Sequence, residues 1–293
     1  MTPELDELRA LINDALDHHL PTSSAIAQPL VDAMRYTTLG GGKRIRPMLV
    51  CATCTGVGGA LEDALAPACA VEFIHAYSLI HDDLPSMDDD ELRHGLPSSH
   101  IKFGEATAVL AGDALQALAF ETLARAPAGS DAQRLRAVQL LAAAAGPEGM
   151  VGGQSYDLES ERKKLSLSQL QTLHAAKTGA LITAAVEIGA LFGKPDLSPE
   201  KHVLISEFAA RIGLAFQVID DILDVTATTE ELGKPAGSDA SSGKSTFPSL
   251  IGVDAARGMA EELLSEALPM LDRVGVQHSL LRDLAELIVK RAF

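Results

Sequence analysis

Apolar residues recur three and four positions apart along most of this chain, which places them on one face of a helix. Ala, Leu, Glu and Gln dominate the segments with this spacing, and runs of alternating β-branched or aromatic residues are missing. The pattern therefore predicts an all-α protein. The predicted helical segments are residues 5–16, 64–80, 106–123, 135–144, 170–191, 203–225 and 280–288.

Several of these segments have no polar face, which predicts helices at the centre of a bundle with the more amphipathic helices packed around them. Gly, Pro and polar residues separate the segments, and none of the breaks is long enough for a flexible linker. No repeat of fixed period is visible. We therefore expect a single helical domain over residues 1–293.

Composition narrows the class of protein. The formal net charge of −16 argues against nucleic-acid binding, because phosphate backbones attract an excess of Lys and Arg. The N-terminus mixes acids with apolar residues, unlike a signal peptide, and the apolar stretch 179–193 is too short to span a membrane. We expect a cytoplasmic protein without a membrane span. Cys51 and Cys54 lack the second pair that a zinc site needs, which indicates structural thiols.

Two clusters of acids carry the strongest chemical signal. The first occupies residues 81–91, where six acids follow a very apolar helix, and the second lies in residues 216–224, inside another apolar helix. In the second cluster Asp220 and Asp224 are four residues apart, and Asp221 is three residues from Asp224. We expect these three carboxylates to project from one side of their helix.

Carboxylates without accompanying His or Cys suit a hard cation such as Mg²⁺, which is commonly shared with substrate phosphate oxygens. Two facing clusters would hold one diphosphate through bridging metals. A solvated acidic loop is the simpler interpretation for an exposed charge run, and we favour it for Asp90 and Glu91.

A basic turn complements these acids. Residues 40–47 combine three glycines with Lys43, Arg44 and Arg46 at the start of a helix, where backbone N–H groups and the helix dipole favour an anion. Lys234 and Lys244 lie in the Gly/Ser-rich segment after the second acid cluster, which we interpret as a lid over bound substrate.

These motifs occur together in one family. The chain resembles the bacterial trans-prenyl diphosphate synthases almost from end to end, and among them it is most similar to farnesyl diphosphate synthases. The motifs that carry the resemblance are GGGKRIRP, FIHAYSLIHDDLPSMDDDELRHG, FGEATAVLAGDAL, GMVGGQSYDL, KTG and FQVIDDILD, followed by GKP and GKST.

The resemblance implies a helical bundle of the isoprenoid synthase type, with a central cavity between the two Asp-rich helices. It implies head-to-tail (1′-4) condensation of isopentenyl diphosphate with dimethylallyl or geranyl diphosphate by ionisation, condensation and elimination, giving (2E,6E)-farnesyl diphosphate. It also implies Mg²⁺ as cofactor, with Mn²⁺ as an alternative, and a homodimer.

Site residues follow from the same resemblance. The implied metal ligands are Asp82, Asp83, Asp88, Asp220 and Asp224. The residues implied for the allylic diphosphate are Arg93, Lys177, Lys234 and Lys244, with Thr178 and Gln217 beside the reacting carbons. We expect Lys177, Thr178 and Gln217 to be catalytic. The residues implied for isopentenyl diphosphate are Lys43, Arg46, His75 and His94.

His94 departs from the family pattern, which usually has an Arg there. We expect isopentenyl diphosphate binding to be weaker and more pH-sensitive, with compensation by a neighbouring cation as the alternative. Tyr77 lies five residues before Asp82, roughly 7.5 Å along a helix. We expect Tyr77 and the smaller Ser78 to set product length by blocking the growing chain. A geranylgeranyl product is the alternative.

Other classes of protein fit less well. A terpene cyclase would not need the basic turn for a second substrate. A helical calcium-binding protein would need the EF-hand spacing, which residues 82–91 lack. A metal phosphohydrolase would need spaced His ligands. His81 is expected to be a hydrogen-bonded core residue, while Gln154, Asp157 and Asp113 orient motif residues or cap helices.

Overall fold

The computed structural model describes residues 2–161, 163–227, 243–276 and 279–290. Helices dominate these residues, as predicted, and every predicted helical segment lies in a helix. The helices are α1 Pro3–His19, α2 Gln28–Leu39, α3 Ile45–Gly56, α4 Leu61–Asp82, α5 Ser99–Phe103, α6 Glu105–Ala124, α7 Asp131–Ala145, α8 Met150–Ser160, α9 Leu167–His174, α10 Ala180–Gly193, α11 Pro199–Thr226, α12 Phe247–Ile251, α13 Val253–Val274 and α14 Leu280–Val289.

Two features depart from regular α-helix. A π-helical segment, Ala175–Gly179, joins α9 to α10 within the predicted helical stretch 170–191. An antiparallel pair of two-residue strands, β1 Leu92–Arg93 and β2 Leu96–Pro97, follows the first acid cluster. The expectation of helices throughout was wrong for this hairpin, whose strands are too short to show a period in the sequence.

Side-chain caps explain where several helices begin. Ser130 and Ser166 each accept a hydrogen bond from the backbone of the third helical residue, Gln133 and Gln169, whose side chains bond back to the cap. Ser198 caps α11 in front of Pro199. Proline fits the first turn because its missing N–H would have no partner there.

The helices without a polar face lie at the centre, as predicted. Nearly every side chain of α4 between Ala66 and Ile74 is buried, and α10 is buried over most of its length. Helix α4 packs against α3, α6 and α10, while α11 packs against α13 and α10. In this arrangement the carboxyl-terminal parts of α4 and α11 both line one cavity.

Two helical stretches in the described part of the chain are long and apolar enough to cross a membrane by length and composition alone: Leu167–Gly193 and Pro199–Thr226. The first is longer than the apolar stretch 179–193 because the π-helical segment joins it to α9. In their most apolar windows, 61% and 50% of the residues are buried inside the protein. Packing in the core therefore accounts for much of their apolar surface.

The three cysteines are buried and carry free thiols. Burial raises the pKa of Cys54 to about 11 and that of Cys69 to about 12. Thiols held protonated in this way are poor nucleophiles and poor metal ligands. Their environment supports the structural role expected for Cys51 and Cys54.

Candidate active site

A cavity of about 750 Å³ lies between α4 and α11, and it brings together most of the residues that the sequence singled out. The predicted site residues that line it are Arg46, His75, Tyr77, Ser78, Asp82, Asp88, Arg93, Lys177, Thr178, Gln217, Asp220 and Lys244. Lys43, Asp83, His94 and Asp224 do not line it, and Lys234 lies outside the described residues.

The first acid cluster forms one wall of the cavity where α4 ends. The backbone N–H of Asp88 donates to the carbonyl of Asp82 at 2.9 Å, which folds the loop back so that both carboxylates reach the cavity. Burial raises the pKa of Asp82 to about 6, although the nearby Lys177 ammonium opposes this shift. A buried acid with a raised pKa favours the approach of a cation.

Two other acids of this cluster pair with Arg93. Asp83 is buried and accepts from Nε of Arg93 at 3.0 Å. Burial raises the pKa of Asp83, with Arg93 opposing the shift. Asp90 is partly buried, lines the cavity and lies 3.3 Å from Arg93, so our interpretation of a solvated loop was wrong for Asp90. Glu91 is exposed, as expected.

The second acid cluster contributes to the lining of the same cavity, but only one of its three carboxylates reaches it. Asp220 lines the cavity, whereas Asp221 and Asp224 are 2% and 3% exposed and do not. Asp221 accepts hydrogen bonds from the backbone N–H of Phe247 at 3.0 Å and from Nε2 of Gln217 at 2.9 Å. The expectation that all three project from one side was therefore wrong for Asp221, because consecutive helical residues are about 100° apart.

Lys177 and Thr178 belong to the π-helical segment between α9 and α10. Helix α8 crosses this segment at Gly153, where a Cβ atom would lie only 2.2 Å from the backbone nitrogen of Lys177. The glycine is therefore required by the close approach. Thr178 donates to Oε1 of Gln217 at 2.9 Å, so the two expected catalytic oxygens are in contact. Single π-helical turns often occur at functional sites.

Two lysines that line the cavity pair with acids that also line it. Nζ of Lys177 lies 2.6 Å from Oδ2 of Asp157, and Nζ of Lys244 lies 3.1 Å from Asp88 and 3.6 Å from Asp157. Burial opposes ionisation of Asp157, but the two ammonium groups outweigh it and lower its pKa. Asp157 thus positions both lysines, in agreement with the orienting role expected for it.

The basic turn separates into an inward and an outward part. Arg44 has φ of +56° and is buried, where its guanidinium lies 2.7 Å from Glu72, also buried, and donates to Asn13 and to the carbonyl of Thr38. Arg44 therefore stabilises the packing of the turn on α4. Lys43 is exposed.

Arg46 does reach the cavity, where its Nη1 lies 3.3 Å from Nε2 of His75. Burial, followed by the positive charge of Arg46, lowers the pKa of His75 well below its ordinary value. The imidazole is therefore neutral at neutral pH. His94 has φ of +52° and packs on the glycines of the basic turn, since a Cβ on Gly42 would lie 3.5 Å from its Nε2.

His94 has its pKa lowered by loss of solvent around its ring and then by the charge of Arg93. The position that carries Arg in the family pattern is therefore occupied here by a largely uncharged imidazole at neutral pH.

The ligand set fits a cation that keeps water and phosphate oxygens. Among the described residues, no group of three or more His, Cys, Asp or Glu side chains stands close enough to hold a metal alone. Asp82 and Asp88, at the end of α4, and Asp220, on α11, line the same cavity, so each helix contributes one or two carboxylates. Mg²⁺ is usually held by one or two carboxylates with substrate phosphates, so this arrangement suits it.

Two cavity residues received less weight from sequence than the structure gives them. Both amide atoms of Gln154 are buried without a hydrogen-bond partner in the described structure, and Gln154 lines the cavity. His174 was not singled out; it also lines the cavity, and burial lowers its pKa to about 4. Gln154 follows a pair of glycines, which was the available signal, whereas His174 lies among ordinary helix formers.

Comparison with known proteins agrees with this site. The sequence model of the Polyprenyl synthetase family matches residues 27–276. Curated farnesyl diphosphate synthases of bacteria are similar over nearly the whole chain, and that of Escherichia coli is 49% identical over 95% of each chain. Geranylgeranyl pyrophosphate synthase 6 of Arabidopsis thaliana, a mitochondrial protein, is 46% identical over 96% of this chain and 87% of its own.

Solved structures show the same relation. The geranyltransferase of Helicobacter pylori, complexed with magnesium and isoprenyl diphosphate, is 34% identical over 98% of this chain and 97% of its own, with a TM-score of 0.86. The helical bundle is thus the isoprenoid synthase fold. The chain belongs to the Polyprenyl synthetase family. It is a prenyltransferase by that membership, and Mg²⁺ is a cofactor of the family.

Proposed function

We propose that the chain is a Mg²⁺-dependent farnesyl diphosphate synthase that adds isopentenyl diphosphate to dimethylallyl and then to geranyl diphosphate. The observation that carries this proposal is one cavity lined by acids of both clusters, Asp82, Asp88 and Asp220. Arg46 and His75 line the same cavity. Two anionic substrates require two such sets of residues. The names of the bacterial relatives support the same substrates.

The acids and cations of the cavity have complementary tasks. Asp82, Asp88 and Asp220 hold Mg²⁺, which neutralises negative charge on the departing allylic diphosphate. The resemblance also makes Asp83 and Asp224 metal ligands. That role stays a prediction for Asp83, whereas for Asp224, which is 3% exposed and outside the cavity lining, we propose a supporting role instead. Mn²⁺ as a substitute stays a prediction as well.

The cations that serve the allylic diphosphate are paired with acids before substrate binds. Lys177 contacts Asp157, Lys244 contacts Asp88, and Arg93 contacts Asp83. We propose that these three cations turn toward the diphosphate when its charge and that of Mg²⁺ enter together. Pairing with acids limits repulsion among these cations in the empty site, and it keeps each cation close to where the diphosphate binds. Lys234 is expected to join them.

Arg46 and His75 hold the second diphosphate, together with Lys43 and His94 from the basic turn and the hairpin. A neutral His75 both accepts from Arg46 and donates through its other ring nitrogen, so it positions the guanidinium without competing for the anion. The absence of a second charged group at position 94 is expected to weaken isopentenyl diphosphate binding.

The chemical step needs no side chain as nucleophile or general base. The allylic C–O bond breaks with its electron pair passing to the diphosphate, and the double bond of isopentenyl diphosphate attacks the resulting cation. Loss of a proton to the released diphosphate completes the product. Thr178, bonded to Gln217 beside the reacting carbons, presents an oxygen to the cation, which a hydroxyl stabilises without the nucleophilicity of a free carboxylate.

Tyr77 supports a fifteen-carbon product. Its ring lines the cavity one turn below Asp82, is 3% exposed, and meets the ring of His81 edge to face at 5.7 Å. His81 is fixed in turn by a contact of 3.1 Å between its Nε2 and the carbonyl of Val109. A buried ring packed on a fixed neighbour is a rigid block to a growing chain. Ser78 is bonded to the carbonyl of His75 and leaves room beside it.

A geranylgeranyl product is the second candidate, because synthases of that product are nearly as similar in sequence. We propose further that the chain acts in the cytoplasm as a homodimer, with residues 1–293 forming one polyprenyl synthase domain. The terpene cyclase alternative leaves Arg46 and His75 without a substrate.

One assay tests the proposal. Purified protein is incubated with isopentenyl diphosphate and either dimethylallyl or geranyl diphosphate, with and without Mg²⁺, and the products are separated by chain length. We expect farnesyl diphosphate only in the presence of Mg²⁺. Cyclised hydrocarbon, or no product from isopentenyl diphosphate, would contradict the assignment.

The same assay on Tyr77→Ala tests whether the Tyr77 ring limits product length. Tyr156→Phe is the control, because it retains its ring and Tyr156 does not line the cavity. We expect products longer than fifteen carbons from Tyr77→Ala. An unchanged product from this variant would show that another residue sets the length.

A further inference from the structure

We propose that Asp221 is a positioning residue that fixes the direction of the hydrogen bonds through Gln217 to Thr178, so that oxygen lone pairs of Thr178 face the reacting allylic carbon. The proposal rests on the proposed function, since it assigns a role within the ionisation step. Asp221 does not line the cavity and is 2% exposed. Any effect on the reaction must therefore pass through a neighbour that does line it.

The donor-to-acceptor direction of these hydrogen bonds is set by the contact between Phe247 and Asp221. The backbone N–H of Phe247, the first residue of α12, can only donate, and it lies 3.0 Å from Oδ2 of Asp221. The other carboxylate oxygen, Oδ1, lies 2.9 Å from Nε2 of Gln217. A carboxylate accepts hydrogen bonds and has none to give. Gln217 must therefore turn its NH₂ group toward Asp221.

This orientation determines what Thr178 does. With the NH₂ group of Gln217 facing Asp221, its carbonyl oxygen faces Oγ1 of Thr178 at 2.9 Å. An amide oxygen cannot donate, so the hydroxyl hydrogen of Thr178 is committed to Gln217. The lone pairs of that hydroxyl remain for the cavity, which both residues line.

The direction matters because positive charge develops in the cavity. An oxygen lone pair directed at an allylic cation stabilises it, whereas a hydroxyl hydrogen directed there raises its energy. Thr178 is 7% exposed, and dipoles fixed in advance in a site with little water act strongly on a developing charge. Because the series of hydrogen bonds from Phe247 to Thr178 is fixed in advance, the Thr178 hydroxyl needs no reorientation when the allylic diphosphate ionises.

His174 also lies close to Asp221. Its Nε2 lies 3.9 Å from Oδ2, and its ring packs on that of Phe247 with 5.6 Å between centroids. Burial lowers the pKa of His174 to about 4, so it is neutral at neutral pH. It brings no positive charge that would draw the carboxylate away from Gln217.

The substitution Asp221→Asn keeps the size and shape of the side chain but reverses the direction of the hydrogen bonds through Gln217. If the oxygen of the new amide keeps the Phe247 N–H, its NH₂ group faces Gln217, which must then turn its own NH₂ toward Thr178. The Thr178 hydrogen is released toward the cavity. We expect the single-turnover rate with geranyl and isopentenyl diphosphates to fall at least ~10-fold, with KM for both substrates within ~3-fold of the parent.

A double-mutant cycle separates this role from a general one. Thr178→Val removes the hydroxyl, so adding Asp221→Asn in that background is expected to change the rate by less than ~2-fold. Losses that multiply would overturn the proposal. An increase in KM for geranyl diphosphate or in the Mg²⁺ requirement of Asp221→Asn, at an unchanged rate, would also overturn it by making Asp221 a ligand.

Folding is controlled in two ways. Thr226→Val removes an exposed hydroxyl that bonds within α11, and it is expected to retain the parent's rate and Tm. Gln217→Met leaves the hydrogen bond between Asp221 and Phe247 in place, but it removes the hydrogen bonds that connect Asp221 to Thr178. If Asp221→Asn does not fold, Gln217→Met should still lower the rate and be insensitive to Thr178→Val, and multiplying losses would refute the proposal.

The parent protein is assayed first, because its product decides the proposed function independently of the variants. A parent that makes farnesyl diphosphate while the cycle shows independent losses would leave the proposed function standing and remove the role of Asp221. A parent that makes no prenyl product would remove both.

Discussion

The two acid clusters look alike in the sequence but act differently in the fold. The first follows the end of α4, so its backbone turns freely and Asp82, Asp88 and Asp90 all reach the cavity, where cations pair with the latter two. The second lies within α11, whose fixed rotation sends Asp220 to the cavity and keeps its neighbours buried.

The difference shows that the position of an acid relative to the end of a helix decides how many carboxylates a motif delivers. A loop brings several carboxylates close together, and Lys244 and Arg93 neutralise part of their charge. A continuous helix delivers one carboxylate and uses the others for support, as Asp221 does for Gln217. The following predictions test that contrast.

The largest effect is expected from the acid of the second cluster that reaches the cavity. Asp220→Asn should lower kcat at least ~10²-fold, the scale lost when a group that stabilises transition-state charge is removed. Asp89→Asn is the control from the first cluster, because Asp89 is exposed and its φ of +53° suits Asn. Steady-state kinetics compare the two, and equal losses would contradict the assigned directions.

A buried acid of the second cluster should act on stability instead. Asp224 is 3% exposed and does not line the cavity, so we expect Asp224→Asn to lower the free energy of unfolding by about 2 kcal/mol, the scale for altering a buried charged group. The Mg²⁺ concentration for half-maximal activity should stay within about 2-fold of the parent. A larger shift would establish the metal-ligand role that the family resemblance implies.

The buried surroundings of the second cluster should also make stability depend on pH. Because the pKa of His174 is lowered to about 4, the unfolded chain binds a proton below about pH 6.5 that the folded protein does not. Stability is therefore lost as the pH falls, by about 2 kcal/mol between pH 7.5 and pH 5. Denaturant unfolding of His174→Gln should show a correspondingly smaller loss, and an equal loss in parent and variant would contradict the neutral state of His174.

The smallest effect is expected at the balancing cations of the first cluster. Lys244→Gln removes a charge that contacts Asp88 and Asp157, and KM for geranyl diphosphate should rise ~10-fold, as for one charge-assisted hydrogen bond. KM for isopentenyl diphosphate should change little. A rise in the latter alone would place Lys244 at the other diphosphate.

The helices and the two acid clusters could be predicted from the sequence because they are local patterns, whereas the roles of Lys177, Thr178 and Gln217 followed only from the family resemblance. The π-helical segment at Lys177 could not be predicted, since its residues are ordinary helix formers and the widened turn depends on the crossing at Gly153. The hairpin at Arg93 is too short for any period to show.

Side-chain direction was the other gap. Arg44 and Arg46 look equivalent in the sequence, yet the left-handed conformation of Arg44 sends it to Glu72, 28 residues away. Asp221 was grouped with Asp220 by spacing alone, and its partner Phe247 lies 26 residues further along the chain. Contacts of this kind depend on how distant helices pack.

Calorimetric titration of a non-ionising thio analogue of geranyl diphosphate tests most directly whether the acids of both clusters hold one diphosphate through Mg²⁺. Binding is measured with and without Mg²⁺ in the parent, Asp82→Asn, Asp220→Asn and the double variant. We expect affinity to require Mg²⁺, to fall in each single variant, and to fall in the double variant by less than the product of the two losses. Binding that is independent of Mg²⁺ or unaffected by either substitution would contradict the claim that both acid clusters hold the diphosphate through Mg²⁺.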